Sequence, residues 1–356
     1  MARKRSKLTK VRLTEVAKLA GVSPITASRF FRNPEALSVG KRVRVESAAK
    51  ELSYVPNLAA RALASQRTEV IGVLIPSLTN NVFADVLRGI YDAVDGSRYS
   101  IQLANTRYSI LQEEKLLRVF LTQKPAGLIV TGIDQTRESR AIMEASDCPI
   151  VQIMEIGTEP VDMMIGFSHS DAGRAAISHL LAEGCRRIGF LGARMDPRVQ
   201  RRFLGYQAAM TEAGLFDQSL VVTTPAPTSV TLGGTLFADL LTKAPDTDAV
   251  FCANDDLALG VLFECRRRHI SVPEQMAIVG FNDLEFMGSA VPTLTSVRTN
   301  RYEMGRNAAT MVIEALEGRR PEQPVVDLGY SVMTRQSSTR RGHAAASAPV
   351  RESVQN

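Results

Sequence analysis

Residues 23–29 read Ser-Pro-Ile-Thr-Ala-Ser-Arg, which puts three hydroxyls, an aliphatic chain and a guanidinium within two turns of a helix. The hydroxyls of Ser23, Thr26 and Ser28 suit phosphate oxygens. Arg29 has the planar fork that matches a guanine edge, and Ile25, next to Pro24, suits a thymine methyl. The surrounding charge agrees: residues 1–68 hold 15 Lys/Arg against 4 Asp/Glu, while the other 288 residues hold 28 against 33. A short basic end on a mildly acidic body assigns a polyanion partner to that end alone. Catalytic chemistry finds less support. No GxGxxG, GxxxxGKS or GxSxG pattern occurs, and the adjacent carboxylates Asp255 and Asp256 read as dipole partners of a helix start. Cys148, Cys185, Cys252 and Cys265 are scattered, and His169, His179, His269 and His343 lack ligand spacing. The expectation is a non-enzyme without metal, disulfide or cofactor.

The elements that must position residues 23–29 are helical. Leu13, Val16, Ala17 and Ala20 share one face, and Gly21 ends that helix. Ser23 caps the next, with Pro24 at its first position, and Asn33-Pro34 stops it. A third helix fits 39–52. The first two have helix-turn-helix spacing, which places 24–29 at the start of a recognition helix. Residues 1–10 read as a flexible basic arm, and 57–65, after Pro56, have the composition of a conditional helix that is too short to persist alone.

From Val70 the texture changes. Apolar runs at 70–76, 100–105, 127–132, 149–154, 187–192, 249–254 and 276–281 alternate with amphipathic segments at 81–95, 111–123, 171–183, 199–213, 230–242 and 256–269. That alternation implies parallel sheets covered on both faces. About 270 residues are too many for one such sheet, so two α/β lobes with a cleft between them are expected. Residues 342–356 read as a disordered tail. No apolar run is long enough for a membrane span, and the basic N-terminus lacks the apolar stretch of a secretory signal. A cytoplasmic location is therefore expected, and a secreted solute-binding transport protein is disfavoured.

The segments LTEVAKLAGVSPITASR and VESAAKELSYVPNLAARALAS resemble the head of the LacI/GalR family of bacterial repressors. The body resembles that family too, through VIGVLIPSLTNNVF, GLIVTG, CANDDLALG and MAIVGFND. The resemblance implies an N-terminal all-α helix-turn-helix head (1–56), a hinge helix and linker (57–68), and a two-lobed α/β body (69–341) with parallel sheets. The body would be periplasmic-binding-protein-like, serving both effector binding and dimerisation, with crossings near 167, 298 and 328. It also implies a homodimer on a near-palindromic DNA operator, with Asn57, Ala60 and Leu63 in the hinge contacts and Leu63 wedged into the minor groove. Effector positions carried over are Ser77, Phe83, Thr131, Glu155, Arg198, Arg202, Asn254 and Asn282. Arginines with polar neighbours suit a hydroxylated anion. IPSLTNNVFADVLRGI, LGARMD and VFCANDDLALGVLFEC resemble repressors of gluconate metabolism, so gluconate is the expected effector, with 2-ketogluconate or another sugar or sugar phosphate as alternatives. Glu155 would repel a carboxylate unless it faces the hydroxyl end of the ligand.

Retention of the chain on heparin or duplex DNA should weaken steeply as salt rises, with a log–log slope of about 0.9 per neutralised phosphate. Retention indifferent to salt would remove the polyanion reading.

Overall fold

A computed structural model describes residues 11–54 and 68–340. Asn57, Ala60, Leu63, the hinge segment, the basic arm and the tail lie outside the described residues. The chain divides into two units at Thr68/Glu69.

The first unit holds α1 (Leu13–Leu19), α2 (Pro24–Arg32) and α3 (Val39–Glu51), with a 3-10 turn at Pro34–Ala36. Its small core is Val16, Ala17, Ala20, Ala27, Val45 and Ala48, flanked by the rings of Phe31 and Tyr54. Gly21 at φ +62° makes the turn between α1 and α2. Ser23 Oγ accepts the Thr26 N–H at 3.1 Å and starts α2.

The second unit contains two six-stranded sheets. One is built from β1 (Val70–Ile75), β2 (Ser100–Asn105), β3 (Gly127–Thr131), β4 (Ile150–Ile153), β5 (Met163–Gly166) and β11 (Val325–Asp327). Its order is β11-β5-β4-β3-β1-β2, parallel throughout. The other uses β6 (Ile188–Ala193), β7 (Val221–Thr224), β8 (Ala249–Cys252), β9 (Ala277–Asn282), β10 (Thr295–Thr299) and β12 (Tyr330–Met333). Its order is β12-β10-β9-β8-β6-β7, with only β12 antiparallel, to β10. The apolar strands are buried because helices cover both faces.

Helices α4 (Val82–Val94), α5 (Ile110–Thr122), α6 (Arg137–Glu144) and α12 (Arg301–Leu316) accompany the first sheet. Helices α7 (His169–Ala182), α8 (Pro197–Glu212), α9 (Val230–Lys243), α10 (Asp255–Arg267) and α11 (Glu285–Ser289) accompany the second. The chain changes lobe after β5, after β10 and after β11. Three helix pairs cross at glycine. A Cβ at Gly305 would collide with the backbone of α4, one at Gly205 with the backbone of α7, and one at Gly260 with the backbone of α9. One apolar cluster runs through both lobes by way of Ile153, Met154, Phe167 and Phe281.

Asp255, the first residue of α10, is fully buried and ties three elements together. It accepts Ser296 Oγ–H at 2.6 Å and the Leu284 N–H at 2.7 Å. Burial pushes its pKa up to about 7 against those hydrogen bonds. Burial also raises Glu113 to about 7. Below about pH 7 both carboxyls therefore keep protons in the folded state that they release on unfolding. Burial shifts His169 and His179 the other way, so they matter only below the ordinary value of 6.5. Above it the folded state holds the extra protons, and stability falls as pH rises from about 6.5 to 8. Urea midpoints across that window should decline; a rising profile would contradict the protonated carboxyls. Separately, Gly205→Ala should destabilise the body by more than about 1–3 kcal/mol, the usual range for overpacking, because backbone rather than a side chain must yield.

Candidate effector cleft and nucleic-acid interface

The start of α2 presents a mixed surface. Ile25 is 73% exposed, and Pro24 and Arg29 are exposed beside it, while Thr26 and Ser28 are half-buried. Ser23 and Thr26 also bond each other, Oγ to Oγ1 at 2.9 Å. A large aliphatic side chain left in water next to a guanidinium is the composition that a major-groove reader needs.

In the body, the strand ends of the two sheets face a cleft of about 430 Å³. Asn80, Phe83, Tyr108 and Met154 line it from one lobe. Arg194, Asp196, Arg198, Arg202, Asn254 and Asn282 line it from the other. A second chamber of about 500 Å³, lined by Thr106, Glu113, Thr131, Asp134 and Gln135, shares Tyr108, Asp196 and Arg198 with the first.

Arg202 is the most constrained cation of the cleft, only 5% exposed. Its Nε donates to His169 Nδ1 at 3.1 Å, its Nη1 donates to the Ala253 carbonyl, and its guanidinium carbon stands 3.8 Å from the centre of the Phe281 ring. Burial lowers its pKa to about 10, so it stays charged at neutral pH. His169 is its complement. Burial first, then Arg202 and Arg198, hold its pKa well below the ordinary value, so the ring is neutral. Nε2–H donates to the Met154 carbonyl at 2.8 Å across the lobe junction, which leaves Nδ1 as the acceptor for Arg202.

Arg198 lies between the rings of Phe83 and Tyr108, 5.8 Å from each centroid, with its Nε on Asp196 Oδ1 at 3.1 Å. Burial works against the Asp196 charge, but Arg198 and Arg202 hold its pKa below the usual value. Asp196 caps α8, with Pro197 at the first position. Arg194 stacks on Tyr108 at 4.1 Å. Asn254 caps α10 through Leu257 N–H and donates to Thr228 Oγ1 at 3.1 Å. Asn282 is 2% exposed, and its buried Oδ1 has no hydrogen-bond partner. An orphaned acceptor in a cleft is costly unless a ligand supplies the donor.

The carried-over positions therefore divide. Phe83, Arg198, Arg202, Asn254 and Asn282 meet in the first chamber, and Thr131 lies in the second with its Oγ1–H on the Leu74 carbonyl. Ser77 and Glu155 line neither. Ser77 Oγ accepts the N–H groups of Thr79 and Asn80 in the loop before α4. Glu155 is 2% exposed and accepts the Ile156 N–H at 3.1 Å, with Arg201 3.4 Å away; burial raises its pKa. His169 lies fully buried against Arg202, and Tyr108, Arg194 and Asp196 line the cleft without being marked for it in the sequence. The cap pattern Asp196-Pro197 was visible there; the approach of Tyr108 to Arg194 was not. Among the described residues no cluster of His, Cys, Asp and Glu is fit to hold a metal ion, and no helix is long and apolar enough to cross a membrane.

A helix-turn-helix unit followed by a two-lobed α/β body with a polar cleft defines a bacterial transcription regulator, and the chain belongs to the LacI family of such proteins. Residues 12–57 match the family described as "Bacterial regulatory proteins, lacI family", and residues 177–338 match a periplasmic binding protein-like domain. Among curated relatives, the HTH-type transcriptional regulator GntR of Pseudomonas aeruginosa is 42% identical over 326 residues, 92% of this chain and 95% of that one. The regulator of the same name from Escherichia coli K12 is 38% identical, over 90% of this chain and 96% of that one. Among solved structures, a LacI-family regulator from Silicibacter pomeroyi superposes with a TM-score of 0.87 at 34% identity, covering 93% of this chain and 100% of that one. GntR from Chromobacterium violaceum gives 0.73 at 40% identity, covering 76% of this chain and 99% of that one. The chain is thus a DNA-binding regulator of transcription.

Arg202→Met should lower the stability of the body by about 1–3 kcal/mol, because the buried His169 Nδ1 and Ala253 carbonyl lose their donor. The urea midpoint measures this, and an unchanged midpoint would show that neither bond is needed.

Proposed function

We propose that the protein is a repressor of sugar-acid catabolism that leaves its operator when gluconate fills the cleft. The observation that carries this reading is the convergence of Arg194, Arg198 and Arg202 on one chamber whose remaining polar groups include the orphaned Asn282 Oδ1. Guanidinium groups suit a carboxylate, and a neutral acceptor suits a hydroxyl donor. The likeness to regulators named GntR supports the same ligand class. 2-Ketogluconate, another sugar or a sugar phosphate is the alternative.

A homodimer with one head on each half of a near-palindromic site gives the mechanism a two-state form. Ser23, Pro24, Ile25, Thr26, Ser28 and Arg29 make the major-groove contacts. Operator and effector favour different arrangements of the same two subunits, and their opposition is the regulation.

The experiment is a mobility-shift titration on a duplex selected from a random pool. Gluconate should weaken operator binding about 5–150-fold, which corresponds to ~1–3 kcal/mol of coupling. Arg198→Ala should abolish the response. No response to gluconate or to any related acid or phosphate would end the reading.

A further inference from the structure

The two chambers of the cleft meet at three shared residues and differ in the charge of their linings. Arg198, Asp196 and Tyr108 border both. On one side of that border stand Arg194 and Arg202. On the other stands Glu113, on the first turn of α5, with Gln135 and the hydroxyls of Thr106 and Ser109. The acids around Glu113 are committed: Asp134 is bound by Arg201 at 2.6 and 2.8 Å, and Glu114 by Arg118 at 2.9 Å. Glu113 has no ion-pair partner among the described residues, and it is half-buried. Its side chain shares a hydrogen bond with Gln135, and the opposing charge that acts on it is Arg198, from the other lobe.

We propose that Glu113 is a specificity residue, binding the hydroxyl groups at the far end of the acid whose carboxylate sits among the arginines. The inference rests on the sugar-acid reading and extends it to the orientation and length of the ligand. At neutral pH Glu113 is in part charged, and in that form it accepts hydroxyl donors through bonds about twice as strong as neutral ones. It also repels a carboxylate, so a ligand entering backwards meets like charge at one end and unmatched guanidinium groups at the other. Burial has already pushed the Glu113 pKa up to about 7, which marks a group short of solvation that ligand hydroxyls would restore. The role expected of Glu155, to face the hydroxyl end, thus passes to Glu113, because Glu155 lines neither chamber: its Oε1 accepts backbone N–H groups and its Oε2 faces Arg201 at 3.4 Å.

The test is calorimetry on the full-length protein with a series of straight-chain sugar acids: glycerate, threonate, xylonate and gluconate. In the wild type, affinity should rise along the series as more hydroxyls reach the second chamber. In Glu113→Ala the rise should stop, so that gluconate loses about tenfold or more, the worth of one hydrogen bond to a charged group, while the shorter acids bind as in the wild type. Glu113→Gln keeps the size and hydrogen-bonding capacity of the side chain and should lie between the two; it also serves as the measured variant if the alanine protein does not fold. An equal loss at every chain length, or no loss, overturns the role of Glu113 and leaves the sugar-acid reading standing. Failure of every acid to bind the wild type overturns both.

Discussion

A guanidinium that is only 5% exposed survives at the lobe junction because its surroundings satisfy it without neutralising it. Arg202 is met in direct contact by a neutral imidazole nitrogen, a carbonyl and an aromatic face, while the carboxylate of Asp196 acts on it only through space. Its positive charge therefore remains available to an anion. Had a carboxylate sat in direct contact, the pair would have closed on itself, and an incoming acid would have had to displace it. The arrangement depends on His169 being neutral with its proton on Nε2, which the Met154 carbonyl ensures from the opposite lobe. The charge of the binding chamber and the packing of the two lobes are thus set by the same imidazole.

Around that point, interactions between the lobes are mostly polar. Asp134 and Arg201 bridge them beside the cleft, and Arg301 of α12 reaches both Asp85 and the Asn282 carbonyl. The apolar continuity through Phe167 and Phe281 lies behind them. An apolar base with polar edges lets two lobes adjust their angle, because bridging ion pairs can exchange partners while close-packed side chains resist small displacements. A ligand that ties groups from both sides, as Arg198 and Glu113 would be tied, acts on that angle directly.

Much of this was legible in the residues. Strands β1, β3, β8 and β9 are near-continuous apolar runs, and α2 announces itself through Ser23 and Pro24. The apolar-run criterion passes over β10, Thr295–Thr299, whose buried Thr295 and Ser296 are satisfied by Ser337, Ser338 and Asp255, some forty residues away. It passes over β11 and β12 for a similar reason: they are short edge strands with no fully buried residue. The cleft followed the same divide. Residues at strand ends, such as Asn254 and Asn282, are marked by position. Glu113 looks like any acid in the first turn of a helix, and only tertiary placement beside Arg198 and Gln135 distinguishes it. Ser77 and Glu155 also occupy the right kind of position but line neither chamber; backbone donors hold Ser77 Oγ and Glu155 Oε1.

The crossing of α4 with α12 joins parts of the chain more than two hundred residues apart, glycine against backbone. During synthesis, the first lobe emerges without its edge strand β11 and without the helix that covers α4. The second lobe, by contrast, draws most of its residues from the uninterrupted stretch 168–298. At ~5–20 residues per second the ribosome needs roughly ten to thirty seconds to travel from the end of β5 to the end of β11. For that interval the first lobe is an unfinished sheet with a bare helix face, and the second lobe waits longer still for its own edge strand, β12, which is made last of all.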